Sequence, residues 1–409
     1  MTTIDLVMSG LMNFNDNKQP KMSRSIITTQ VTTTPTILDY TFSAIAPTPR
    51  IGHTTVFVSG TTNYLYMFGG RDSIANYYNQ LWNYNLSTNK WTLLSPSGTA
   101  PATRSEHAMF YYNGLIYIYG GWNGTTYYDD LHSYNPTTNT WATITTTGGS
   151  TTGTTSILRY GFGYTTEGTN LYIFGGMVAG AVNHSVLILS LISFTWTNNG
   201  HNLPSARYRI SAITSSTGNI YLYGGASATA SLTGLLSFTI STGKFTTVTT
   251  TGTNPSRCAG YALFIVGTVI YIYGGYTTGG VTNNSIFTCD TSLARPAWTN
   301  PSTSLLSYAR CLCGFVSNGS TIYIDDGATS SALTTSINET WTGTLGTYPG
   351  TQLPTKQIHV NATTFTLIGV VFTVFKDTSN SNHAALRWAV PLGVATGLII
   401  SLSSLRIVA

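Results

Sequence analysis

Charge is what this sequence has least of: Asp, Glu, Lys and Arg together make up 8% of its 409 residues. That excludes a solvated acidic or basic disordered chain, and it disfavours a helical protein covered in surface ion pairs. Residues 36–348 hold 11 Lys/Arg against 10 Asp/Glu, so most of the net charge of +5 lies outside them. There is no basic stripe of the kind that grips a phosphate backbone, and nucleic acid is not an expected partner. Cysteine is scarce as well, at four residues, with no Cys-x-x-Cys or His-x-x-x-His spacing, so neither a metal nor another cofactor is expected. Cys311 and Cys313 fall on one face of a strand, and Cys258 shares the phase of Cys311 one unit earlier. A cross-unit disulfide and buried free thiols both remain open. No secretory leader is expected either, because Ile4 is followed at once by Asp5 and the Leu6 to Leu11 run is short.

What is abundant is glycine and tyrosine, and both are periodic. Double glycines stand at Gly69-Gly70, Gly120-Gly121, Gly175-Gly176, Gly224-Gly225 and Gly274-Gly275, with a degraded copy at Asp326-Gly327. Each ends a short run such as Ile116-Tyr117-Ile118-Tyr119, whose aromatic and β-branched residues without alternation describe a strand buried on both faces. Before each pair sits an arginine: Arg50, Arg104, Arg159, Arg207, Arg257 and Arg310. After it come a third-strand position (Tyr84, Tyr134, Leu189, Phe238, Cys289, Trp341) and then an aromatic (Trp91, Trp141, Trp196, Phe245, Trp298). Three markers in one phase define a repeat of four strands per unit.

This pattern resembles the kelch repeat. The resemblance implies an all-β, six-bladed β-propeller over residues 36–348, and it extends to the central propeller of galactose oxidase and other copper radical oxidases. Residues 1–35 are expected to be a disordered N-terminal segment. The last unit lacks its late aromatic, whereas Leu38-Asp39-Tyr40-Thr41-Phe42 reads like a fourth strand. The N-terminal strand is therefore expected to complete the last blade and close the ring, which removes exposed sheet edges. Residues 349–409 read as a linker and a membrane-associated helical tail: Thr363 to Phe375 and Trp388 to Leu405 carry no charge, and Gly393 and Gly397 give a small-xxx-small spacing. Positive-inside bias at Lys376 to Arg387 would place the propeller outside the cell, with a cytoplasmic location as the alternative.

One arginine per blade at the start of the innermost strand suggests cations around one mouth of the channel. In kelch adaptors arginines at this phase help recognise acidic peptides or other anions, and the resemblance carries that to Arg50, Arg104, Arg159, Arg207, Arg257 and Arg310. The alternative is that each guanidinium packs on aromatic rings and bonds neighbouring loop carbonyls. Loops after the double glycines share that face, which adds Arg71, Asp72, Trp122, Tyr276 and the Tyr127-Tyr128 pair as binding candidates. His53 and His107 read as structural or channel-lining residues. Of the acids near loops, Asp72, Glu106, Asp129, Asp130, Asp325 and Asp326, none pairs recognisably for hydrolysis. The expected function is non-catalytic binding of a protein, acidic peptide or glycan by a membrane-tethered module. The rivals are a soluble intracellular adaptor and an enzyme of the oxidase or epimerase type.

Overall fold

The structure is a computed structural model that describes residues 46–256, 258–277, 282–302, 309–319, 321–328, 339–344 and 357–360. All of these lie in one compact unit, Thr41–Phe365, and they contain strands, turns and no helix. Blade one is Ile51–Val58, Tyr64–Arg71, Leu81–Asn85 and Lys90–Leu93, hydrogen-bonded in that order. Blade two follows with Ala108–Tyr112, Leu115–Tyr119, Leu131–Asn135 and Thr140–Ile144. Blade three has Gly163–Glu167, Asn170–Phe174, Val186–Ser190 and Trp196–Thr197. Blade four has Ser211–Thr214, Asn219–Tyr223, Leu235–Thr239 and Lys244–Val248, and blade five has Ala259–Val266, Val269–Tyr276, Ile286–Asp290 and Ala297–Ser302.

Against the six blades expected, these five are described through all four strands. A further sheet is described in its inner strands, Gly314–Asn318 and Thr321–Asp325, and by backbone alone in Glu339–Thr344 and Gln357–Val360.

The second strand of each blade is the most buried, as its unbroken apolar run dictates: Leu65, Ile116, Leu171, Ile220, Ile270 and Ile322 are wholly enclosed. The register then sets the third-strand marker opposite the outer aromatic, in the pairs Tyr84 with Trp91, Tyr134 with Trp141, Leu189 with Trp196, Phe238 with Phe245 and Cys289 with Trp298. All of these aromatics are buried except Phe245, which is half-buried. Ser97–Gly98 and Thr251–Gly252 add short parallel strands along the outer strands of blades two and five, partly covering those edges.

Closure by an N-terminal strand is corrected by the pairing. The place beside Glu339–Thr344 is held by Gln357–Val360, with Ile358 opposite Trp341. An outer strand that carries isoleucine where the others carry an aromatic, after a long connection, has no marker to reveal it. This strand also falls within the stretch expected to be a linker. Leu38 to Phe42, Arg257 and both uncharged stretches of the tail lie outside the described residues. Among the described residues, no helix is long and apolar enough to cross a membrane. The four cysteines are free and buried, and burial pushes each thiol up to about 12.

Candidate functional site: the loop face and its channel mouth

The five described arginines of the repeat series turn inward. Nη1 of Arg50, Arg104, Arg159 and Arg207 donates to the carbonyl of the first glycine of the same blade (Gly69, Gly120, Gly175, Gly224) at 2.9–3.0 Å, and Arg310 donates to the Asp326 carbonyl at 3.2 Å. Nε donates to a carbonyl just upstream: Thr48, Ala102, Ser156 and Ser205 for the first four. Tyr78 and Tyr128 lie under the guanidiniums of Arg50 and Arg104 at 4.4 and 4.2 Å. Burial lowers the Arg159 guanidinium to about 10, since it has carbonyls and the Ser185 hydroxyl as partners. Meanwhile the backbone carbonyl at the arginine position accepts the N–H of the preceding blade's second glycine: Gly70 to Arg104, Gly121 to Arg159, Gly176 to Arg207, Gly275 to Arg310 and Gly327 to Arg50, at 2.8–3.1 Å. In blade five Gly225 donates to Cys258, so Cys258 holds the arginine's place there and Arg257 is one residue out of phase. Arginine and double glycine therefore form one clamp, within a blade through the side chain and between blades through the backbone.

A second circuit runs around the channel mouth. Glu106 N–H donates to Gly52, Gly161 to Glu106, Arg209 to Gly161, Gly260 to Arg209, Leu312 to Gly260 and Gly52 back to Leu312, at 2.5–2.9 Å. All of these residues have φ between 50° and 64°, which suits glycine and strains Glu106, Arg209 and Leu312. The alternation has a steric cause. A Cβ on Gly52 would lie 3.1 Å from Glu106 Cγ, one on Gly161 would lie 3.0 Å from Glu106 Oε2, and one on Gly260 would lie 2.9 Å from Leu312 Cδ2. Each glycine thus clears room for a larger side chain laid over it. Glu106 and Arg209 join in a two-pronged ion pair (2.7 and 2.8 Å) across Gly161, and Arg209 Nη1 donates to the Tyr276 hydroxyl at 2.7 Å. Burial works against the charged guanidinium, but Glu106 and Tyr276 outweigh it and hold Arg209 well above its ordinary range. Beneath this lid the inner strands enclose a channel of about 470 Å³.

Beside the mouth, blades one to three carry a crescent of half-buried aromatic rings. Trp122 stacks on Tyr160 (5.2 Å between centroids, 16° between planes), Tyr77 meets Trp122 edge-on at 5.9 Å, and Tyr127 leans on Tyr160 at 5.6 Å. Tyr77 pairs across the blade-one hairpin with Arg71, and between them the loop is fastened by Asp72. The Asp72 carboxylate accepts the N–H groups of Ile74 and Asn76, the Asn76 amide and the Tyr78 hydroxyl at 2.8–3.0 Å. The loop so held presents Ile74 at 79% exposure, the most exposed large apolar side chain among the described residues.

The family model for the KLHDC2/KLHL20/DRC7 Kelch-repeats domain matches this chain over residues 15–198 and 161–364. The chain belongs to that kelch-repeat family. Kelch domain-containing protein 3 of Rattus norvegicus is 32% identical over 78 residues, 19% of this chain and 20% of the relative. Host cell factor 2 of Homo sapiens is 34% identical over 82 residues, 19% of this chain and 10% of the relative. The tRNA wybutosine-synthesizing protein 2/3/4 of Oryza sativa subsp. japonica is 33% identical over 76 residues, 19% of this chain and 7% of the relative. The matches span a fifth or less of the lengths of these relatives.

On the kelch frame the expected binding residues divide. Trp122 and Tyr276 stand at the crescent and the mouth, and Arg71 and Asp72 shape the blade-one loop. Arg50, Arg104, Arg159, Arg207 and Arg310 are at most 5% exposed, so the expected ring of cations around the mouth is replaced by a ring of clamps. The repeat's phase does not point to Glu106, Arg209, Ile74 or Tyr160. The signal for the first two is a glycine two residues after Arg50 and Arg159, with a charged residue in the same place after Arg104 and Arg207. His53 and His107 are buried beside the channel, bonded to Asp325 and to the Thr54 hydroxyl. Among the described residues no group of three His, Cys, Asp or Glu is set to hold a metal. Asp130 holds Arg104 through both oxygens and also meets His132, so it serves the clamp.

Proposed function

We propose that the protein is a non-catalytic recognition module, a six-bladed kelch ring that holds a segment of another protein against the aromatic crescent of blades one to three. Kelch propellers are protein-binding modules, and the observation that carries the reading here is the crescent with Ile74 presented beside it on a loop fastened by four hydrogen bonds. Aromatic rings offer large contact area at little cost in side-chain entropy, and a pre-organised loop lowers what ordering costs on binding. The six-fold count is supported by two backbone circuits that return to blade one, through Gly327 to Arg50 and through Gly52 to Leu312. Burial of the arginines takes support away from an anion as the principal ligand.

The test is selection of a random peptide library displayed on phage against the full-length protein. Enriched clones should lose binding to Ile74→Asp and to Trp122→Ala, and keep it on Ile192→Asp, which alters another well-exposed isoleucine, at the outer turn of blade three. Clones that ignore the first two substitutions, or that fail equally on all three, would place recognition elsewhere.

A further inference from the structure

The seams between consecutive blades share one design. The aromatic that precedes a blade's double glycine packs against the inner strand of the next blade. Phe68 stands edge-on to His107 at 5.5 Å, Tyr119 leans on Phe162 at 5.8 Å, and Tyr223 meets Tyr261 edge-on at 6.2 Å. Phe174 shares a core cluster with Ile210, and Tyr273 shares one with Cys313.

The seam that returns to blade one is built differently. Asp325 occupies the aromatic's place and His53 that of its partner, with Nε2 and Oδ2 3.1 Å apart and both side chains enclosed. The Thr55 hydroxyl donates to the Asp325 carboxylate at 3.0 Å, and the Gly314 nitrogen lies 3.0 Å from His53 Nε2, the ring nitrogen that also meets Asp325. A Cβ on Gly314 would fall 2.5 Å from both His53 Nε2 and Thr55 Oγ1, so the backbone leaves space for this pair. Arg50 and Arg310 stand at the same seam, with Asp326 bonded to Arg310 through its carbonyl.

Apolar seams are interchangeable: an aromatic face docks against another apolar face with little penalty for error. A buried carboxylate set against an aromatic ring loses its hydration and gains no partner, which is strongly unfavourable, whereas the His107 imidazole at the Phe68 seam keeps the Thr54 hydroxyl. We infer that the His53–Asp325 pair keys the closing seam, admitting the last blade to the first and rejecting the apolar faces that a partly folded ring, or a second copy of the chain, exposes. Repeat proteins are prone to such mispairing, because each unit presents nearly the same surface as the next.

The test compares wild type, His53→Phe, Asp325→Tyr and the double substitution, which restores the seam design of the other blades. Each full-length protein is unfolded in denaturant and refolded by dilution at low and high protein concentration. Monomer recovery is read by size-exclusion chromatography with light scattering, and melting temperature on the monomer. Each single substitution should lower the melting temperature by about 5 °C or more, because it strands a buried polar group. The double variant should melt at or above wild type, yet recover as monomer at least about threefold less well, with oligomers rising as protein concentration rises. Wild-type monomer recovery by the double variant would overturn the inference, leaving the pair as an ordinary buried contact. A double variant that yields no folded protein would overturn it equally, since an apolar pair is then not tolerated at this seam.

Discussion

A guanidinium enclosed by protein needs all of its N–H groups directed at acceptors, and the described arginines meet that need with carbonyls more than with acids. Arg104 is the best furnished, with the Gly120 and Ala102 carbonyls, both oxygens of Asp130 and the Tyr128 ring. Arg104→Ala should cost about 3 kcal/mol in chemical denaturation, much of it from the Gly120 carbonyl left without its donor and the Asp130 carboxylate left with His132 alone. The pair also fixes a pH dependence. Burial works against the ionised form of Asp130, but hydrogen bonds from Arg104 and His132 outweigh it and hold the carboxyl well below its ordinary 3.8. A carboxyl depressed on folding contributes stability above its unfolded pKa and loses it as pH falls through the folded one. The wild-type melting temperature should therefore fall more steeply below about pH 4 than that of Asp130→Asn. Parallel curves for the two proteins would show that Asp130 carries no such linkage.

At the scale of the strand, the outer aromatic closes the blade by lying across its third strand and the neighbouring blade. Trp141 touches Tyr134 at 5.2 Å within blade two and Phe68 of blade one at 5.6 Å, so one side chain seals two blades. Trp141→Ala should cost about 3–5 kcal/mol, whereas Trp122→Ala, in the half-buried crescent, should cost about 1 kcal/mol. Equal losses at the two sites in urea melts would contradict this division of labour. Strands of this kind were legible in the sequence, because an unbroken run such as Ile116-Tyr117-Ile118-Tyr119 suits few settings other than a strand enclosed on both faces. Where the arginine forks point was not legible, since residue type reports a charge and not its direction. Nor was the displacement in blade five, where Cys258 stands in the arginine's place, or the outer strand Gln357–Val360, which carries no aromatic marker. The mouth was least legible of all, because Glu106 and Arg209 come from blades two and four, 103 positions apart in sequence.

For the molecule as a whole, the double glycines matter less as turns than as links in a circuit. A Cβ on Gly274 would lie 2.4 Å from the Arg310 carbonyl, and its φ is +75°, so any side chain there pushes blade five away from the next sheet. Gly274→Ala should cost about 1–2 kcal/mol from backbone strain alone, with the collision at the Arg310 carbonyl adding to it. Because the circuits return to blade one, the loss should appear as one cooperative transition at lower denaturant, with no early unfolding of a single blade. A separate early phase seen by Trp298 fluorescence would mean that the blades unfold independently.

The alternation at the mouth has a consequence for how this surface changes over time. Gly52 sits beneath Glu106, Gly161 beneath the Glu106–Arg209 bridge and Gly260 beneath Leu312, so neither partner is replaceable alone. A larger residue at a glycine collides with the side chain laid over it, and a glycine in place of that side chain opens a hole in the lid. The mouth can be refurnished only by paired exchanges, in which a glycine and its overlying neighbour trade places together. Its residues should then co-vary in step around the ring, while Ile74, on a loop with no such tenant below it, is free to drift by single substitutions.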